Sequence, residues 1–104
     1  MNNQKSIVNL VYAVIDEVNM DLPSTQKLKK SLDTQLYGDK SEIDSLSLVN
    51  VVVLTEQKIE DEFNITINLA DEKAMSQKNS PFRTIETFVE YIEKSVNEKW
   101  IKNL

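Results

Sequence analysis

The sequence contains no cysteine and no histidine. The first absence excludes disulfides, thiolate nucleophiles and cysteine-ligated zinc, and the second removes histidine-based triads and most transition-metal sites. Any thiol chemistry must come from a group attached to the chain. Glycine occurs once and proline twice, too few for a fold built on many tight turns, so helices are expected. No apolar run approaches the about 20 residues of a membrane span. Met1-Asn2-Asn3-Gln4-Lys5 also lacks the basic and apolar regions of a signal peptide, so no membrane span and a cytoplasmic location are expected.

What is present fits one domain over residues 1–104 with one core. The net charge of −5 is unevenly placed. Residues 1–40 balance, residues 73–104 carry +2, and residues 41–72 carry −7. The middle segment holds Glu42, Asp44, Glu56, Glu60, Asp61, Glu62, Asp71 and Glu72 against Lys58 alone. Nucleic acid and anionic membrane are poor partners for such a surface, and a basic protein patch is a good one. A solvated acidic helix face would account for the same charges.

The periodicity predicts a helix over residues 4–19, with Ile7, Val8, Leu10, Val11, Val14, Ile15 and Val18 as its apolar stripe. Pro23 helps to end it, and a long connection follows over residues 20–43. Leu28, Leu32, Leu36 and Tyr37 are expected to anchor that connection, and Ser24 or Thr25 to cap a short helical turn through Lys30. The single glycine, Gly38, is placed to turn the backbone near its end. A second helix is expected over residues 45–63, burying Leu48, Val49, Val52, Ile59 and Phe63, with Thr55 and Glu56 interrupting the stripe. Leu46 and Val53 are harder to bury at the same time: either they face outward as a docking surface, or the helix is apolar nearly all round and mostly buried, which the pattern alone favours. Ile65, Ile67 and Leu69 alternate with polar residues, but no second strand-like run can pair with them. An extended connector with three inward side chains is therefore expected. A short helix over residues 70–76, a loop over 77–81 and a last helix over 84–100 complete the chain. Ile85, Phe88, Val89, Ile92 and Val96 supply the last helix's stripe, and Tyr91 its border. The fold class is all-α, a small bundle of three main helices plus one short one.

Asp44-Ser45-Leu46 opens the second helix. Such a start gathers unpaired N–H groups and the positive end of the peptide dipoles around the serine hydroxyl. A phosphate ester would be favoured there. An Asp-Ser pair before a helix is also a common plain cap.

The order of these features resembles the acyl carrier proteins and the related aminoacyl and peptidyl carriers. The likeness covers about residues 5–95. It is most specific from Leu36-Tyr37-Gly38 through Ile43-Asp44-Ser45-Leu46-Ser47-Leu48-Val49 to Glu60-Asp61-Glu62-Phe63. The resemblance implies that Ser45 carries a 4'-phosphopantetheine arm added from coenzyme A by a phosphopantetheinyl transferase. Asp44 matches the acid before that serine, and Leu46 the exposed leucine after it. It implies a non-enzymatic, monomeric carrier whose thioester cargo is loaded by a ligase or acyltransferase with a basic docking patch. Leu46, Val53, Glu56, Glu60 and Asp61 are the expected partner-binding residues.

Two features depart from the fatty-acid type. Ser47 and Asn50 stand where acids commonly follow the serine, and the 45–63 segment is longer by about one turn of ~3.6 residues. Both fit a carrier dedicated to a specialised pathway. An interaction module with an unmodified Ser45 is the alternative. A serine hydrolase is disfavoured, since no histidine, no glycine beside the serine and no evident oxyanion loop accompany Ser45.

Overall fold

A computed structural model describes residues 4–36, 45–69 and 81–102 of the chain. Three α-helices form among them: α1 (Gln4–Met20), α2 (Ser45–Phe63) and α3 (Ile85–Lys102). Among the described residues no strand accompanies them, and they make a small helical bundle in which α1 packs against both α2 and α3. The expected short helix over residues 70–76 lies outside the described residues, as do Tyr37, Gly38 and Asp44. No described helix is long and apolar enough to cross a membrane.

α1 forms where its stripe predicts. Ile7, Leu10, Val11, Val14, Ile15 and Val18 are all buried, while Val8 packs half-buried at the edge of the same cluster. Each such side chain contributes about 1.5–3 kcal/mol when fully buried. The stripe therefore makes α1 the spine of the bundle. α3 contributes Ile85, Phe88, Val89, Ile92 and Val96 to the same core, with Tyr91 at its border. Phe82, just before α3, is buried with its ring centroid 5.7 Å from Phe88 and 5.9 Å, edge-on, from Tyr91. The apolar pattern of α3 does not reach back to Phe82, so this anchor was not foreseen.

The connection after α1 departs from expectation at two points. The helical turn is only Ser24–Gln26, with no side-chain cap, and Lys27 is already extended. The reason is a pairing that needs extended chain: Asn19 Nδ2 donates to the Leu28 carbonyl at 2.9 Å, and the Leu28 N–H donates to Asn19 Oδ1 at 2.8 Å. A side-chain amide thus pairs with the backbone as a neighbouring peptide would, and Leu28 is pinned into the core. Leu32 is the second departure. Its side chain is exposed, and it anchors through its backbone instead.

That backbone closes the start of α3. The N–H groups of Ile85 and Glu86 donate to the carbonyls of Thr34 and Leu32 at 3.0 and 2.9 Å. Thr84 and Thr87 cap each other: the Thr87 N–H donates to Thr84 Oγ1, and the Thr84 N–H to Thr87 Oγ1. This is a capping box with threonine in the place usually held by Glu or Gln. An isolated antiparallel bridge between Gln35 and Thr84 completes the seam.

After α2, Asn64 takes a left-handed conformation at φ 55°, which asparagine tolerates better than most residues. Its N–H still donates to the Glu60 carbonyl at 3.0 Å. The chain then runs extended, with Ile65, Ile67 and Leu69 buried and Asn64, Thr66 and Asn68 exposed, as the alternation predicts.

Candidate functional site

α2 begins at Ser45, the position that the Asp-Ser-Leu pattern marks as a helix start. Its buried side differs in part from the expected one. Leu48, Val51, Val52, Thr55 and Ile59 face the core, while Val49 is 40% exposed and Phe63 packs at the edge. Thr55 does not interrupt the stripe. Its hydroxyl donates to the Val51 carbonyl at 2.7 Å, so it enters the core fully paired and occupies space much as valine would.

Placing Val51 and Thr55 inside turns a different set outward. Leu46 is 71% exposed, and Val49 and Val53 are each 40% exposed. They stand at i, i+3 and i+7, on one face of the helix. Asn50 and Gln57 flank them and are also exposed. The first three turns of α2 therefore present a neutral, partly apolar face directly beyond Ser45.

The acids predicted to dock partners divide into two groups. Glu56 is half-buried, and its Oε2 accepts the Leu69 N–H at 2.7 Å, which ties the connector to α2. Glu60 and Asp61, with Glu62, are exposed and in no ion pair among the described residues. They begin fifteen residues beyond Ser45, about 22 Å along the axis at 1.5 Å per residue. Lys58, the only base of the acidic segment, pairs with Glu17 of α1 at 3.2 Å.

Beside the outward face lies a groove of about 490 Å³ between the end of α1 and the first half of α2. Glu17, Val18, Asp21 and Leu22 form one wall, and Ser47, Asn50, Val53, Leu54 and Gln57 the other. Sequence reasoning missed this groove and the outward roles of Val49, Asn50 and Gln57. The spacing of Leu46, Asn50, Val53 and Gln57 (i, i+4, i+7, i+11) was the available signal.

Among the described residues, no group of three or more carboxylates could hold a metal ion. Comparison of the chain with models of protein families, with curated protein sequences and with solved structures finds no match.

Proposed function

We propose that this chain is a phosphopantetheine-dependent carrier, with an acyl-carrier-like bundle and Ser45 as the attachment point. One observation carries the reading: a helix starts at Ser45, and the leucine directly after it is largely exposed. A cap whose only task is structural gives no reason to leave Leu46 outward. An attachment site that other enzymes must find does. The phosphodiester would sit at a helix N-terminus, where N–H groups and the peptide dipoles favour an anion. The arm would supply the thiol that this cysteine-free chain lacks.

In this reading the protein performs no chemistry. It holds acyl or aminoacyl groups as thioesters and presents them to a loading ligase and to acyltransferases in the cytoplasm. The face that partners meet has two parts. Leu46, Val49 and Val53 fit an apolar patch beside the partner's active-site mouth. Glu60 and Asp61 fit basic residues about 22 Å further along the helix. Asp44 stands next to the attachment point, and the short helix expected over residues 70–76 would complete the family's fold.

The test is direct. Incubation of the full chain with coenzyme A and a broad-range transferase should add one phosphopantetheine by mass spectrometry, and Ser45→Ala should add none. A wild-type chain left unmodified by several transferases, yet holding a protein partner as tightly as the Ser45→Ala variant does, would replace the carrier reading with an interaction module.

A further inference from the structure

The extended connector after α2 has no neighbour to pair with. The Asn64 N–H is taken by the Glu60 carbonyl, and the Leu69 N–H by Glu56. Between them Ile65, Thr66, Ile67 and Asn68 make no hydrogen bond among the described residues. A row of unpaired N–H and C=O groups on extended chain is a template for a further strand. Beside it lies a groove of about 350 Å³, with Ile67 and Asn68 on one wall and Tyr91, Lys94, Ser95 and Lys99 of α3 on the other. We propose that this groove takes an extended segment of a protein partner, which pairs its main chain with that of Thr66 and Asn68. The inference goes beyond the carrier reading and does not depend on it, since neither Ser45 nor the outward face of α2 takes part.

The direction of the free groups follows from the one that is bound. In extended chain, successive residues turn their N–H and C=O groups to opposite edges. Leu69 turns its N–H to α2, so Ile65 and Ile67 share that edge and Thr66 and Asn68 hold the other. The groove runs along this second edge: its lining comes from the connector and α3 and includes no residue of α2. Thr66 and Asn68 are exposed, while the buried side chains of Ile65, Ile67 and Leu69 fix the connector on the core. The edge is thus held in place before anything binds, and the incoming segment alone must be ordered.

The dimensions select a slender occupant. From Tyr91 to Lys99 the α3 wall runs about 12 Å at 1.5 Å per residue, room for about four extended residues at ~3.4 Å each. The connector of a second copy does not fit, because its own α2 backs it along one edge and its own α3 walls the other. A tail or linker of another protein does. Ile67 and the Tyr91 ring suit β-branched aliphatic side chains turned inward, and hydroxyl residues suit the outward positions opposite Thr66. Lys94 and Lys99 are exposed and in no ion pair among the described residues. With Glu98 between them they leave one net positive charge in the groove, which favours an acidic residue at one end of the segment.

The experiment uses the full chain and, as probe, the peptide acetyl-Thr-Val-Thr-Val-Glu-amide, with amide hydrogen exchange and chemical shifts read by NMR. In the free chain the Thr66 and Asn68 amides should exchange fast and that of Leu69 slowly. The probe should slow exchange at Thr66 and Asn68 and shift Tyr91 and Ser95, leaving Asn50 and Gln57 unmoved. So few bonds give a weak complex, with a dissociation constant of about 1 mM. N-methylation of the probe's central threonine removes one main-chain donor and should weaken binding about fivefold. Lysine in place of its glutamate should weaken binding about threefold. Thr66→Pro removes a donor from the connector and should weaken binding about fivefold. Its melting temperature should stay within about 4 °C of wild type, because that N–H is unpaired in the free chain. Thr66 and Asn68 amides already protected in the free chain would overturn the proposal. So would a probe that shifts nothing at several millimolar, shifts that fall on Asn50 and Gln57 instead, or equal binding of the N-methylated probe. Protection of Thr66 and Asn68 that grows with protein concentration and without probe would also overturn it, and assign the edge to a second copy.

Discussion

Glu56 can be either a docking charge or a structural tether, and substitution separates the two. The charge pattern groups it with Glu60 and Asp61, whereas its carboxylate accepts the Leu69 N–H at 2.7 Å. A hydrogen bond to a charged group contributes about 1.5–3 kcal/mol. The contact is half-buried, so water can partly replace the carboxylate, and the lower end applies. Glu56→Ala should therefore cost about 1.5–2 kcal/mol. Glu56→Gln keeps an acceptor oxygen and loses only the charge assistance, which accounts for roughly half, so it should cost about 0.7–1 kcal/mol. Glu60→Ala, at an exposed position, should stay within about 0.5 kcal/mol of wild type.

For a domain of this size 1 kcal/mol moves the melting temperature by about 4–8 °C. Glu56→Ala should then melt about 6–16 °C lower, with Glu56→Gln about halfway and Glu60→Ala within about 4 °C. Urea unfolding at fixed pH, with the slope compared across the three variants, reads the same order as free energy. The connector makes the effect cooperative. Leu69 is fully buried beside the tether, and Ile65 and Ile67 cover the core from the same segment. The reasoning fails if Glu56→Ala costs no more than Glu60→Ala. It also fails if Glu56→Gln is as damaging as Glu56→Ala, because the hydrogen bond would then not be the source.

Three further outcomes follow from the same structure. Asn19→Ala removes both bonds to Leu28 and should cost about 2 kcal/mol by urea unfolding, at about 1 kcal/mol per bond; Asn19→Asp should do no better, since its second oxygen would face the Leu28 carbonyl. At Asn64, held at φ 55°, Gly should be neutral or slightly stabilising. Val at the same position should cost about 1–2 kcal/mol, and equal stability of the two variants would argue against the left-handed cap. Val49→Asn and Val53→Asn should leave stability within about 0.5 kcal/mol and, under the carrier function proposed above, raise the KM of a phosphopantetheinyl transferase; unchanged kinetics would remove this face from the proposed docking surface.

How far the chain could be read depended on the kind of contact. The stripe of α1 was legible because its aliphatics fall at three- and four-residue spacing and little else competes for the inward face. The Ile65–Ile67–Leu69 connector was legible for a related reason: alternation with no pairing partner permits few arrangements. α2 was harder. From Leu46 to Leu54 every residue except Ser47 and Asn50 is apolar, so the pattern fits several rotations of the helix. Packing against α1 chose Val51 over Val49, and a hydroxyl bonded within its own helix admitted Thr55. The pairings Asn19–Leu28, Glu56–Leu69 and Thr34–Ile85 leave no periodic trace at all. They join a polar group to a backbone many residues away, and only the folded chain brings them together. For the candidate site, the start at Ser45 was in the sequence; the outward Leu46 followed only from the family resemblance, since the apolar pattern alone favours burying it, and the groove arose from two helices meeting.

The rotation of α2 matters more than its boundaries, because the outward face exists only at one setting. Two sides of the helix are fixed independently. On one, Lys58 holds Glu17 of α1; on another, Glu56 holds the connector at Leu69. Between them Leu48, Val51, Val52, Thr55 and Ile59 fill the core. A turn of the helix by one residue, about 100°, would break both tethers and carry polar side chains toward the interior. Each polar group left unpaired there costs about 1–3 kcal/mol, a large share of the 5–15 kcal/mol that holds a small domain together. The helix is thus locked about its own axis. Leu46, Val49 and Val53 stay outward beside Ser45, and Asn50 and Gln57 stay in the groove, although nothing in the core requires those five residues to be what they are. A face held in place by its neighbours and unused by the fold is available for recognition, and here it begins at the serine.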